Sequence, residues 1–177
     1  ISFTGSVGVG SLIQKAAADA IVPVTLELGG KSPQIVFDDA DLDAAIPFLV
    51  NAGVQNAGQT CSASSRILVQ RSIYDKLTEM MAERYRAMKV GPAIDDLDVG
   101  PLISARQKEI VEGFVRHAGP ARIVAQATVI KGAPDGGHYF APTLYAGIDP
   151  DDPLAQNEIF GPVQAIIPFD TEEDAVR

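Results

Sequence analysis

Two side chains in this sequence are placed to do covalent chemistry. Cys61 is the sole cysteine and closes Asn56-Ala57-Gly58-Gln59-Thr60-Cys61, while Glu27 lies in Thr25-Leu26-Glu27-Leu28 just before Gly29-Gly30. A cysteine acts as a nucleophile through its thiolate, and a carboxylate among apolar neighbours, its pKa raised, suits general-base work near neutrality. Each residue also has a plainer reading: an inert buried thiol, and an edge-strand Glu facing water. A cysteine nucleophile commonly has a histidine partner, yet His117 and His138 lie in no motif suggesting a base, which argues against a cysteine protease. One Cys and two scattered His lack zinc-site spacing, and Asp38, Asp39 and Asp41 read as helix caps rather than a calcium loop, so no metal is expected. Without a histidine, the Cys61 thiolate has to come from a helix terminus, a nearby cofactor charge or a carboxylate acting through water.

The elements that must position these groups follow from periodicity and punctuation. Residues 1–3 read as the end of a strand, Thr4 to Gly10 as a glycine-rich turn, and the next stretch as a helix with Leu12, Ile13, Ala16, Ala17 and Ala20 on one face. Strand, glycine turn and helix point N–H groups and a positive dipole end at an anion, although the same glycines serve wherever a helix packs closely on a strand. Strands are expected at 24–28 and 34–37, with Pro33 holding Ser32 extended. A helix over 42–56 should be disturbed at Pro47, and Cys61 should lie on its exit turn. A strand at 66–70 leads to a helix capped by Ser72 and running to about Lys89, with Ile73, Leu77, Met80, Met81 and Met88 inward. After an acidic loop come a helix at 104–117, strands at 122–125, 143–148 and 163–169, and a helix start at Thr171 with Asp174 three residues on. Strands alternating with helices imply an α/β fold with a largely parallel sheet.

Bulk composition bounds the function. A chain of 177 residues can bury roughly 70% of its unfolded surface, enough for a real core. The net charge of −9, with no basic run, is a poor match for phosphate backbones, so nucleic acid is not expected as a partner. No apolar run approaches membrane-spanning length, and a lone cysteine fits a reducing compartment; the reading is a cytoplasmic protein without membrane partners. Both ends read as cut from a longer polypeptide.

Four segments then stop being generic: Phe3-Thr4-Gly5-Ser6, Leu26-Glu27-Leu28-Gly29-Gly30-Lys31-Ser32-Pro33, Asn56-Ala57-Gly58-Gln59-Thr60-Cys61, and Glu158-Ile159-Phe160-Gly161-Pro162. Together, and in this order, they resemble the aldehyde dehydrogenase superfamily from end to end. The resemblance implies a Rossmann-like, parallel-sheet catalytic domain over 30–177 and the C-terminal part of an NAD(P)-binding domain over 1–29. It implies Cys61 as the nucleophile that forms a thiohemiacetal and then a thioester, and Glu27 as the base that activates the hydrolytic water. The Cys61 N–H would hold the oxyanion together with an Asn from an upstream segment. Gly5, Ser6, Leu28, Gly29, Glu158 and Phe160 would contact NAD or NADP: Ser6 at the pyrophosphate, Glu158 at the nicotinamide ribose, Phe160 beside the nicotinamide. Lys31 is read as structural or cofactor-proximal. Gly8, where many members carry a larger residue, and Pro47 depart from the usual pattern.

The implied function is oxidation of a small-molecule aldehyde to a carboxylic acid, by an enzyme whose full-length form is a homo-oligomer. The alternative is a non-catalytic folded fragment of such an enzyme, without a complete cofactor pocket.

Overall fold

The computed structural model describes residues 1–119 and 122–177, which form two compact units, Ile1–Gly30 and Lys31–Arg177. The first is a β-α-β element: β1 (Ser2–Gly5), α1 (Val7–Asp19) and β2 (Thr25–Leu28). β1 and β2 pair in parallel, with Phe3 opposite Leu26, Thr4 opposite Glu27 and Gly5 opposite Leu28. The helix is covered along Gly10, Ile13 and Ala17, while Leu12, Ala16 and Ala20 of the expected apolar face are exposed. Gly10 lies against Leu28, so that a Cβ there would force the Leu28 side chain to shift.

In the second unit the elements are β3 (Gln34–Val36), α2 (Leu42–Val54), β4 (Arg66–Gln70), α3 (Tyr74–Ala87), β5 (Lys89–Val90), α4 (Ala105–Ala118), β6 (Ile123–Gln126), β7 (Thr128–Val129), β8 (Thr143–Ala146), α5 (Pro153–Gln156), β9 (Val163–Phe169) and α6 (Glu172–Val176). The main sheet has the order β3-β4-β9-β8-β6. Its first four strands run parallel, and β6 pairs antiparallel with β8 through an irregularity between Ile123 and Ala125. β9 lies at the centre and is buried on both faces, as an apolar run of this kind requires. α2 and α3 supply Ile46, Leu49, Val50, Leu77, Met81 and Tyr85 to the core. The architecture is the expected α/β class.

Several local expectations are corrected. Ser72 does not cap α3: its hydroxyl donates to Asp38 Oδ2 at 3.1 Å, residues 71–73 form a 3₁₀ turn, and the helix begins at Tyr74 without a side-chain cap. Of the three acids before α2, Asp41 is the cap, accepting from the Ala44 N–H at 3.2 Å. α2 runs through Pro47 without interruption; both Pro47 and Asp43 are exposed, so the Asp43 carbonyl that loses its helical donor lies where water can replace it. The parallel pair β5–β7 has no counterpart in the sequence reading. The capping box of Thr171 and Asp174 is present at the start of α6. No helix among the described residues is long and apolar enough to cross a membrane.

Candidate active site

Cys61 follows an uncommon piece of backbone. After α2 ends, Asn56, Ala57 and Gly58 have φ of 49°, 53° and 70°, three successive residues in the left-handed region that L-residues rarely enter. The turn persists because it is cross-tied. Asn56 Nδ2 donates to the Gln59 carbonyl at 3.1 Å and Gln59 Nε2 donates back to the Asn56 carbonyl at 3.0 Å. Gln59 Oε1 also accepts from the Ile103 N–H at 2.9 Å, pinning the turn to the loop before α4. Gly58 meets the backbone of Gly161 and Pro162 so closely that a Cβ would run into the Gly161 carbonyl. The glycine of the cysteine motif is thus packed on the glycine-proline of the last motif, and two segments about a hundred residues apart form one surface.

Cys61 itself is a free, exposed thiol, so the inert buried reading does not describe it. Its carbonyl accepts from Ser32 Oγ at 3.0 Å, and the Ala63 N–H closes the turn onto the Thr60 carbonyl at 3.1 Å. The Cys61 N–H has no acceptor among the described residues. Ser32 has φ of 39° rather than the extended conformation expected before Pro33. Two hydrogen bonds override the local preference: its hydroxyl goes to Cys61, and its carbonyl accepts from Ser64 Oγ at 3.0 Å.

Glu158 and Phe160 follow α5. Ile159 between them is buried, Glu158 is half-buried, and Phe160 exposes 38% of its surface at a φ of 55°. Gln107 Nε2 donates to the carbonyls of Ile159 and Phe160 at 3.2 and 2.9 Å, which fixes the strained residue. Lys31 is buried and its Nζ has no hydrogen-bond partner among the described residues. Loss of hydration, with the Arg66 charge adding to it and Glu158 opposing it, holds the ammonium pKa down at about 8.

The remaining predicted residues belong to the Ile1–Gly30 unit. Ser6 is the N-cap of α1, its hydroxyl accepting from the Val9 N–H at 3.5 Å, and Gly5 immediately precedes it, opposite Leu28. Val7, Gly8 and Val9 are exposed, and a Cβ on Gly8 would meet nothing within 4 Å. An open helix start with free N–H groups suits the pyrophosphate expected there. Glu27 is exposed on β2, between the half-buried Leu26 and Leu28. Gly29 ends the strand. No group of three or more His, Cys, Asp or Glu among the described residues could hold a metal ion.

Sequence reasoning missed Ser64 and Gln164. Gln164 carried a usable signal, a lone polar residue in the apolar strand Val163–Phe169, since a buried amide must be hydrogen-bonded. Ser64, in a run of small polar residues, carried none.

The sequence model of the aldehyde dehydrogenase family matches residues 1–177, and the chain belongs to that family. Among curated proteins it is similar to the mitochondrial succinate-semialdehyde dehydrogenase of Arabidopsis thaliana, with 41% identity over all of this chain and 34% of that protein. A betaine aldehyde dehydrogenase of Cereibacter sphaeroides is 40% identical over 99% of this chain and 36% of its own length. Among solved structures, a Mycobacterium tuberculosis aldehyde dehydrogenase complexed with NAD+ matches with a TM-score of 0.91 and 46% identity, over 99% of this chain and 37% of that one. The chain thus spans about a third of the length of the relatives it matches.

Proposed function

We propose that the protein carrying this chain oxidises an aldehyde to a carboxylic acid with NAD(P)+, using Cys61 as nucleophile and Glu27 as base. The observation that carries this reading is the placement of the sole thiol: exposed, just after a cross-tied turn, with its own N–H unengaged among the described residues, in a chain of the aldehyde dehydrogenase family. Cys61 Sγ attacks the carbonyl carbon; the C–S bond forms and the C=O electron pair moves to oxygen, giving a thiohemiacetal whose oxyanion meets the Cys61 N–H. NAD(P)+, when bound, supplies the acceptor for the hydride that leaves this carbon as the carbonyl reforms. The carbon is then a thioester on Cys61. The Glu27 carboxylate takes a proton from water, whose oxygen adds to the thioester carbon; the C–S bond breaks and the acid departs, restoring the thiolate.

Ser6 and the open first turn of α1 are assigned to the pyrophosphate, Gly5, Leu28 and Gly29 to close approach of the cofactor, Glu158 to the ribose hydroxyls and Phe160 to the nicotinamide face. Residues 1–29 then belong to the cofactor-binding domain and 30–177 to the catalytic domain. The relatives' names give two aldehyde classes, betaine aldehyde and succinate semialdehyde, and small aldehydes of these kinds are the first substrates to try. The test is aldehyde-dependent formation of reduced nicotinamide by the full-length polypeptide. The wild type should produce it and Cys61→Ser should not, while binding cofactor as before; a Cys61→Ser enzyme that retained turnover would overturn the assignment.

A further inference from the structure

We infer that Ser32 is a positioning residue for Cys61, holding the peptide plane that follows the thiol from a strained conformation that Ser64 and Gln164 enforce; the inference rests on Cys61 being the nucleophile. The chain of bonds starts in the core. Gln164 is fully buried on β9. Its Oε1 accepts from Tyr85 Oη at 2.6 Å, and its Nε2 donates to the carbonyls of Leu49 at 2.9 Å and Ser64 at 2.6 Å. Gln164 is also wedged against Gly53, where a Cβ would collide with its side chain. This amide therefore has one seat, and it ties α2, α3 and β9 to Ser64.

Ser64 is held at three points: its carbonyl by Gln164, its N–H donating to the Ala52 carbonyl at 3.0 Å, and its hydroxyl donating to the Ser32 carbonyl at 3.0 Å. Ser32 in turn donates its hydroxyl to the Cys61 carbonyl at 3.0 Å. Two serine hydroxyls thus close a ring: Cys61 to Ser64 along the chain, Ser64 to Ser32, and Ser32 back to Cys61. The ring fixes what catalysis needs fixed. The plane before the Cys61 Cα, which carries the N–H assigned to the oxyanion, is held by the Ala63-to-Thr60 bond. The plane after it is held, among the described residues, by Ser32 alone. With both planes set, Sγ and N–H keep one mutual direction, which is the preorganisation an acyl-transfer site depends on.

The φ of 39° at Ser32 is the second observation. A non-glycine residue in the left-handed region before a proline persists only when its surroundings over-determine it, and such strain gathers at functional positions. A residue with only a packing role there would be better as glycine. That contrast supplies the test.

Ser32→Gly relieves the strain and removes the hydroxyl, so its unfolding midpoint should equal or exceed that of the wild type. Exchange of the Ala63 amide should nevertheless speed up about three- to tenfold, the worth of one lost hydrogen bond. Ser64→Ala, which cuts the ring one bond earlier, should accelerate the same amide. In the full-length enzyme Ser32→Gly should lower the single-turnover rate of nicotinamide reduction about tenfold, with KM for cofactor and aldehyde changed by less than about twofold. Ala63 exchange and turnover both at wild-type values in Ser32→Gly would overturn the inference. The exchange measurement needs neither cofactor nor aldehyde, so a wild-type protein that oxidised no aldehyde would contradict the proposed function while the anchoring was still decided by exchange.

Discussion

In the Lys31–Arg177 unit the thiol follows three successive left-handed residues that the Asn56 and Gln59 side chains cross-tie and that Gln59 pins to the Ile103 N–H, whereas in the Ile1–Gly30 unit Glu27 stands within a four-residue strand paired with β1. Behind Cys61 lies a core with Ile67, Val69, Leu144, Ile166 and Tyr85 fully buried. Within α1 only Gly10 and Ala17 are buried, and Leu12 is 65% exposed. The bracing around Cys61 fits the role proposed for it. A nucleophile and its oxyanion donor must keep one geometry through acylation and deacylation, and backbone strain around them is tolerated because a deep core stands behind it.

This contrast can be broken most sharply at Gly58. Replacing it with Ala places a Cβ in the Gly161 carbonyl and an L-residue at a φ of 70°, so Gly58→Ala should cost on the order of 2–4 kcal/mol in urea unfolding. A cost under about 0.5 kcal/mol would mean that the cysteine turn is not braced on the Gly161-Pro162 segment.

Lys31 gives a smaller, pH-dependent effect. Its folded pKa of about 8 lies below the ordinary 10.5, so between these values the unfolded chain binds more protons and stability rises with pH. Below pH 8 the buried charge is retained in the fold and its cost is felt in full. Lys31→Met should therefore stabilise the chain at pH 7 by on the order of 2–3 kcal/mol, a gain that shrinks as pH rises from 8 toward 10.5. Unfolding midpoints at pH 7 and pH 9.5 measure it; a gain independent of pH would contradict the desolvated ammonium.

The smallest effect belongs to the other unit. Ser6→Ala removes a single long cap bond of 3.5 Å and should cost about 0.5 kcal/mol, with the loss expressed as a local increase in amide exchange along α1. Unchanged exchange along α1 in Ser6→Ala would contradict the capping role of Ser6.

Much of this fold was legible because its main signals are local. The β-α-β start, the buried run of β9 and the Thr171–Asp174 capping box each follow from residue types a few positions apart. What was not legible depended on distant partners. Ser72 reads as a cap until Asp38 claims its hydroxyl, and Ser32 reads as extended before Pro33 until Cys61 and Ser64 hold it otherwise. The candidate site residues were found through four motifs, but the parts that make Cys61 rigid, Ser64 and Gln164, lie in none of them.

The most direct measurement is the mass of Glu27→Gln full-length protein after mixing with NAD+ and a small aldehyde. If Cys61 is acylated and Glu27 activates the hydrolytic water, one equivalent of reduced nicotinamide should form in a burst, turnover should then stall, and the acyl group should be found on Cys61. Steady-state turnover at the wild-type rate, with no adduct on Cys61, would contradict the account.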